Sequence, residues 1–157
     1  GHLVFSTLHT NDAPSSITRL QNMGTPNYLI SAALSLIMAQ RLARKNCSEC
    51  RERDENVTPK LLNSIGFLPE QSARAKIYKG KGCDQCSNTG YKGRMGVYEI
   101  LEIDRELKQG ILSDLSQAEL NGIAKKNGFR TMQEMGHDLL LSGDLSYSEF
   151  ERVLQSQ

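Results

Sequence analysis

The sequence predicts an α+β protein, predominantly helical, with a four-cysteine metal module set into it. Three observations lead there. One short apolar, β-branched run at residues 3–8 is followed by apolar residues at helical spacing. All four cysteines fall in a stretch rich in Gly, Lys, Asn and Ser, residues 47–96. Residues 104–154 then carry four helix-start signals in close succession. A chain of 157 residues has room for one ordinary domain or a core with a small module. The expected division is 1–46, 47–96 and 97–157.

Residues 3–8 read as a strand ending in the polar turn Ser6-Thr7-Leu8-His9-Thr10-Asn11-Asp12. Asp12 is placed to accept from the free N–H groups of a helix running to about Met23, with Pro14 in its first turn and Gly24 as its stop. Thr25-Pro26 repeats the start signal. Tyr28, Leu29, Ala33, Leu34, Ile37, Met38 and Leu42 then predict a second, largely buried helix that closes on Arg41, Arg44 and Lys45, cations suited to the negative end of a helix dipole.

Within 47–96, Thr58-Pro59 starts a short helix carrying Leu61, Leu62 and Ile65 and stopped at Gly66. Turns and short strands are expected around Ile77 and over 97–103. Asp104 then opens a helix carrying Leu107, Ile111 and Leu112. Ser116-Gln117-Ala118-Glu119 is a capping box, and Thr131…Glu134 and Ser146…Glu149 repeat its spacing. Residues 104–154 should form one set of four short helices, each with its own caps and apolar stripe. Loss of metal is accordingly expected to unfold 47–96 before them.

Charge and composition exclude some functions. Lys plus Arg number 19 and Asp plus Glu 18, so no field of one sign draws the chain to nucleic acid or an anionic membrane. Aromatic residues make up 6% with no Trp, a poor base-stacking platform. No run approaches the roughly 20 apolar residues of a membrane-spanning helix. The start, Gly1-His2-Leu3-Val4-Phe5, has neither Met nor a basic leader, and reads as the middle of a longer polypeptide.

The cysteines form two C-x-x-C turns, Cys47-Ser48-Glu49-Cys50 and Cys83-Asp84-Gln85-Cys86. Each turn brings two sulfurs to one ion, and two turns complete the tetrahedral thiolate shell that Zn²⁺ prefers. The 32 residues between Cys50 and Cys83 exceed the compact ribbon interval, which a helix carried on the loop explains. Two disulfides would suit an oxidising compartment, but no secretion signal accompanies them. A redox pair needs one such turn at a helix start, not two. Four protein ligands leave no open position, so the metal is expected to fold the module and perform no chemistry.

Thr7, His9, Thr10 and Asn11 have two readings: a site at the carboxyl end of a strand in an open α/β sheet, or caps for the next helix. His2 and His9 are not needed as metal ligands. His137, midway along an expected helix, reads as an ordinary surface or satisfied residue.

The run from Gly1 to Ala13 resembles the histidine box of the secretion ATPase superfamily, the hexameric motors of type II secretion and type IV pilus assembly. The resemblance continues through Ile17-Thr18-Arg19-Leu20, Ala39-Gln40-Arg41-Leu42, both cysteine pairs and the residues from Gly90 to Glu99. The tetracysteine loop is similar to that of extension and secretion motors. The resemblance implies the C-terminal part of a RecA-like α/β ATPase domain, with the zinc module inserted and a helical subdomain appended. It also implies a homo-hexamer at the cytoplasmic side of the bacterial inner membrane, working with membrane platform proteins, with ATP and Mg²⁺ bound. A catalytic or coupling role carries over to His9, His2 and Thr7. Arg41 becomes a candidate nucleotide contact, against the alternative of a helix-end cation. No G-x-x-x-x-G-K-[ST] occurs in the 157 residues, so this chain alone is not expected to hydrolyse ATP. The competing expectation is an autonomous zinc-ribbon interaction module without enzymatic activity.

Overall fold

The structure, a computed structural model, describes residues 2–155, so Gly1 of the histidine box lies outside the described residues. It is α+β. Contacts divide it into two units, residues 1–39 with 98–131 and residues 40–97 with 132–157. Two long strands, β1 (Leu36–Asn46) and β4 (Tyr91–Glu102), pair and contribute a stretch to each unit.

The first unit holds α1 (Ser15–Asn22), α2 (Asn27–Ala33), α5 (Arg105–Leu112) and α6 (Gln117–Lys126). Asp12 starts the first of these as expected, its Oδ1 accepting from the Ser15 N–H at 2.7 Å. Asp104 Oδ1 accepts from the Leu107 N–H at 2.8 Å, and Ser116 and Glu119 form the full reciprocal box. The apolar stripes meet in a core of Ile17, Ile30, Leu101, Leu107, Ile111 and Leu120. A buried carboxylate, Glu99 on β4, accepts from the Ala13 N–H at 2.7 Å and ties down the residue directly after the polar turn.

Two sequence expectations fail in this part of the chain. Residues 3–8 form no strand, and Leu3, Val4 and Phe5 are exposed. A strand exists only through a partner's hydrogen bonds, and neither described sheet offers one: these are β1 with β4 and β2 (Arg51–Arg53) with β3 (Tyr78–Gly80). The second expected helix stops at Ala33, and Leu36 through Leu42 belong to β1. From Leu36 to Ala43 exposure alternates, with Ile37, Ala39, Arg41 and Ala43 inward and Leu36, Met38, Gln40 and Leu42 outward. A short apolar run matches either period, and here the pairing with β4 selects the period of two.

The second unit contains β2, β3, α3 (Pro59–Ser64), α4 (Pro69–Arg74), α7 (Met132–Leu141) and α8 (Tyr147–Phe150), which continues as a π-helical turn over Glu151–Gln155. The expected helix after Thr58 is α3. The next one, α4, was announced by Pro69 at its first position and by Gln71, whose Oε1 accepts from the Leu68 N–H at 3.3 Å. Of the two alternatives for His137 the structure shows the satisfied one: Nε2 lies 2.8 Å from the Ile65 carbonyl, and its ring centroid is 4.4 Å from that of Phe67. The four C-terminal helices do not form one set, since α5 and α6 belong to the first unit and α7 and α8 pack with the cysteine region.

The box at Ser146 is only half made. Ser146 Oγ accepts from the Glu149 N–H at 3.2 Å, but the Glu149 carboxylate turns away to β1. There it accepts from the Arg44 N–H at 2.7 Å and from the Arg44 guanidinium at 2.7 and 2.9 Å, and Arg152 closes on it from the next turn. Burial alone would raise this fully enclosed carboxyl, but the bonds from Arg152 and Arg44 outweigh it and hold it down at about 2.

Candidate metal centre

The local chain explains how two distant C-x-x-C turns meet. The antiparallel pairing of β2 and β3 runs Arg51 opposite Gly80, Glu52 opposite Lys79 and Arg53 opposite Tyr78. Because β2 begins one residue after Cys50 and β3 ends three before Cys83, the pairing lays the first turn beside the second. Lys81 N–H donates to the Cys50 carbonyl at 3.0 Å, and Cys47 N–H to the Gly90 carbonyl at 2.9 Å. The intervening residues 54–77, with α3 and α4, are an excursion whose ends touch through Asp54 N–H and the Ile77 carbonyl at 2.9 Å.

The ligand atoms of Cys47, Cys50, Cys83 and Cys86 all lie within 4.8 Å of one another, and none is in a disulfide. Sγ separations are 3.9 Å for Cys47 and Cys83, 3.8 Å for Cys50 and Cys86, and 3.7 Å for Cys83 and Cys86. This cluster could hold a metal ion. Backbone amides already point at the sulfurs: Gly82 N–H donates to Cys50 Sγ at 3.2 Å, and Cys83 and Gly90 N–H to Cys86 Sγ at 3.2 and 3.3 Å. Burial works to raise the Cys86 thiol, but these two amides and the neighbouring thiols bring it down to about 6. Loss of hydration, with fewer opposing amides, pushes Cys50 up to about 11. The pocket thus favours thiolate at Cys86 and thiol at Cys50 and Cys83, whose deprotonation a bound cation would drive.

Two glycines permit the fold-back. A Cβ on Gly80 would lie 1.9 Å from the Gly90 carbonyl oxygen, so the chain before Cys83 and the chain after Cys86 cross backbone to backbone. Sequence reading passed over this crossing; the signal was glycine at both flanks of the second pair. Asn46, beside Cys47, was also missed. It is buried, and its Nδ2 donates to the carbonyls of Tyr78 at 3.1 Å and Gly143 at 2.9 Å.

The other expected site residues lie apart from this cluster. His2, Thr7 and His9 are exposed in the segment before α1, in the first unit. Asp12 serves the cap, so His9 is not used for it. Arg41 is on β1, which removes the helix-end alternative; its Nη1 donates to the Val153 carbonyl at 2.6 Å within the second unit.

Residues 1–152 match the family described as type II/IV secretion system protein, and the chain belongs to that family of secretion and pilus ATPases. Among its relatives, the type IV pilus assembly ATPase PilB of Thermus thermophilus is 40% identical over 149 residues, which cover 95% of this chain and 17% of that protein. The type IV pilus assembly ATPase TfpB of Acinetobacter baylyi is 42% identical over 158 residues, 98% of this chain and 26% of its own length. Type II secretion system protein E of Aeromonas hydrophila is 35% identical over 154 residues, 98% of this chain and 30% of its own. The chain therefore spans less than a third of the length of each.

Proposed function

We propose that these residues are the C-terminal portion of a hexameric, cytoplasmic motor ATPase that drives type IV pilus assembly or type II secretion at the inner membrane through platform proteins. The supporting observation is the family match across residues 1–152 in a chain that also gathers four sulfurs around one point. Zn²⁺ is the metal this reading assigns to Cys47, Cys50, Cys83 and Cys86. Sulfurs about 2.3 Å from a tetrahedral Zn²⁺ are about 3.8 Å apart, and the separations here run from 3.7 to 3.9 Å for three pairs. Four thiolates close the shell, so the ion is structural.

The ATP-binding loop and the Mg²⁺-supporting acids belong, on this reading, to a RecA-like region outside the 157 residues. His9, with His2 and Thr7, extends from the first unit as a nucleotide-coupling segment, and its exposure leaves it accessible to the rest of such a domain or to a neighbouring subunit. For Arg41, a nucleotide contact requires exchanging the Val153 carbonyl for phosphate.

Metal analysis of the reduced chain should find about one zinc per chain, and Cys83→Ser should reduce it well below that; near-zero metal in the wild type would sink the zinc reading. A longer polypeptide that joins this region to a phosphate-binding loop should hydrolyse ATP, the 157 residues alone should not, and His9→Ala should lower the rate at least ~tenfold with stability unchanged. Full activity of the His9 variant would remove the coupling role.

A further inference from the structure

The segment after α7 is held by residues that sit next to or within five positions of the four cysteines in sequence. Asn46 precedes Cys47. Its side chain donates to the Gly143 carbonyl, its N–H donates to the Asp144 carbonyl at 2.8 Å, and its second Nδ2 bond goes to Tyr78 on β3. Arg51 follows Cys50, lies over the Tyr78 ring and donates to the Ser142 carbonyl at 3.2 Å. Tyr91 follows Gly90, whose amide donates to Cys86 Sγ, and its hydroxyl is 3.0 Å from Ser146 Oγ. Gly143 itself is pressed on Tyr78: a Cβ there would come within 2.9 Å of the ring.

Residues 142–146 are the joint between α7 and α8, and their anchors are Asn46 and Arg51 at the flanks of the first cysteine pair and Tyr78 and Tyr91, each five residues from the second. These anchors converge on the joint in the same structure that gathers the two pairs. Asn46 is the central one. It is 3% exposed, and both N–H groups of its amide meet carbonyls, a task no carboxylate can perform. Its Oδ1 is buried without a hydrogen-bond partner, so the side chain's polar contribution lies in these two donations.

We propose that the metal governs the placement of α7 and α8 through Asn46. Release of the ion loosens residues 132–155 together with 47–97, while α1, α2, α5 and α6 keep their packing. This rests on the metal reading above and adds to it a metal-dependent surface formed by the last two helices. Asn46 is a positioning residue; it touches carbonyls, not the ion.

The test is hydrogen exchange on the whole chain, reduced and zinc-loaded, before and after chelation, with metal content measured on the same samples. Amides of α7 and α8 should exchange at least ~tenfold faster after chelation, in step with β2 and β3, and those of α5 and α6 should change less than about twofold. Retained protection in α7 and α8 while β2 and β3 open would overturn the coupling, as would equal loss in α5 and α6. Asn46→Asp should keep about one zinc per chain yet speed exchange across 142–149 by ~tenfold; unchanged exchange would remove Asn46 from the path. Should that variant fail to bind metal or fold, Tyr91→Phe deletes one anchor alone, with about two- to fivefold faster exchange expected near Ser146 and no change counting against the proposal. Absence of zinc from the wild-type sample would instead strike the metal reading itself.

Discussion

Replacing Glu149 with Gln keeps the size of a fully enclosed side chain and removes its charge. In the wild type the carboxyl is lowered from an ordinary 4.5 to about 2, against burial, by Arg152 and Arg44. At 1.36 kcal/mol per pH unit this difference corresponds to about 3 kcal/mol of stability at neutral pH. The arginine side chains are 48% and 55% exposed, so water competes for them and the expected loss is nearer 2 kcal/mol. Urea unfolding at fixed zinc, followed by circular dichroism, should show a midpoint lower by about 1 M. Because the folded carboxyl is depressed, its contribution is complete above the unfolded value near 4.5 and is lost as pH falls toward 2. The gap between wild type and Glu149→Gln should therefore be flat from pH 8 to 6. A gap under ~0.5 kcal/mol, or one that changes across that range, would refute the assignment of this stability to the Glu149 charge.

Two further substitutions separate the units. Gly80→Ala should cost about 1–3 kcal/mol and weaken zinc binding, because the new methyl meets the Gly90 backbone and not a movable side chain; competition with a chromogenic chelator measures it. Ile111→Ala, at a fully buried position in the first unit, should cost about 2–5 kcal/mol in thermal or urea unfolding and leave zinc content unchanged.

What could be read from the chain was local. C-x-x-C spacing, Asp104 and Ser116 caps, and the Thr58-Pro59 start each depend on residues a turn apart, and each recurs in the structure. Residues 36–42 were misread because strand and helix periods both fit a short apolar run until β4 decides. Residues 3–8 have strand composition but no described partner. At Ser146 the box pattern was present, yet Arg44, more than a hundred residues away, claims the carboxylate. The grouping of α7 and α8 with the cysteine region rests on the same kind of long-range bond, from Asn46 to Gly143, which no local pattern announces. For the four cysteines the C-x-x-C spacing was enough to pick out the residues as a group, and the strand pairing supplied the reason their sulfurs meet.

The excursion of residues 54–77 leaves and returns at adjacent points, closed by Asp54 and Ile77 at its neck. Its length is therefore uncoupled from the geometry of the sulfurs. Closing a longer loop costs little, about 0.6 kcal/mol per doubling, so residues added at exposed positions beyond the neck should leave the four sulfurs where they are. The neck makes this a natural insertion point: a tag or a binding peptide could be added at the exposed turn of Glu55 and Asn56, which keeps the buried Leu62 and the contacts of Ile65 and Phe67 with His137.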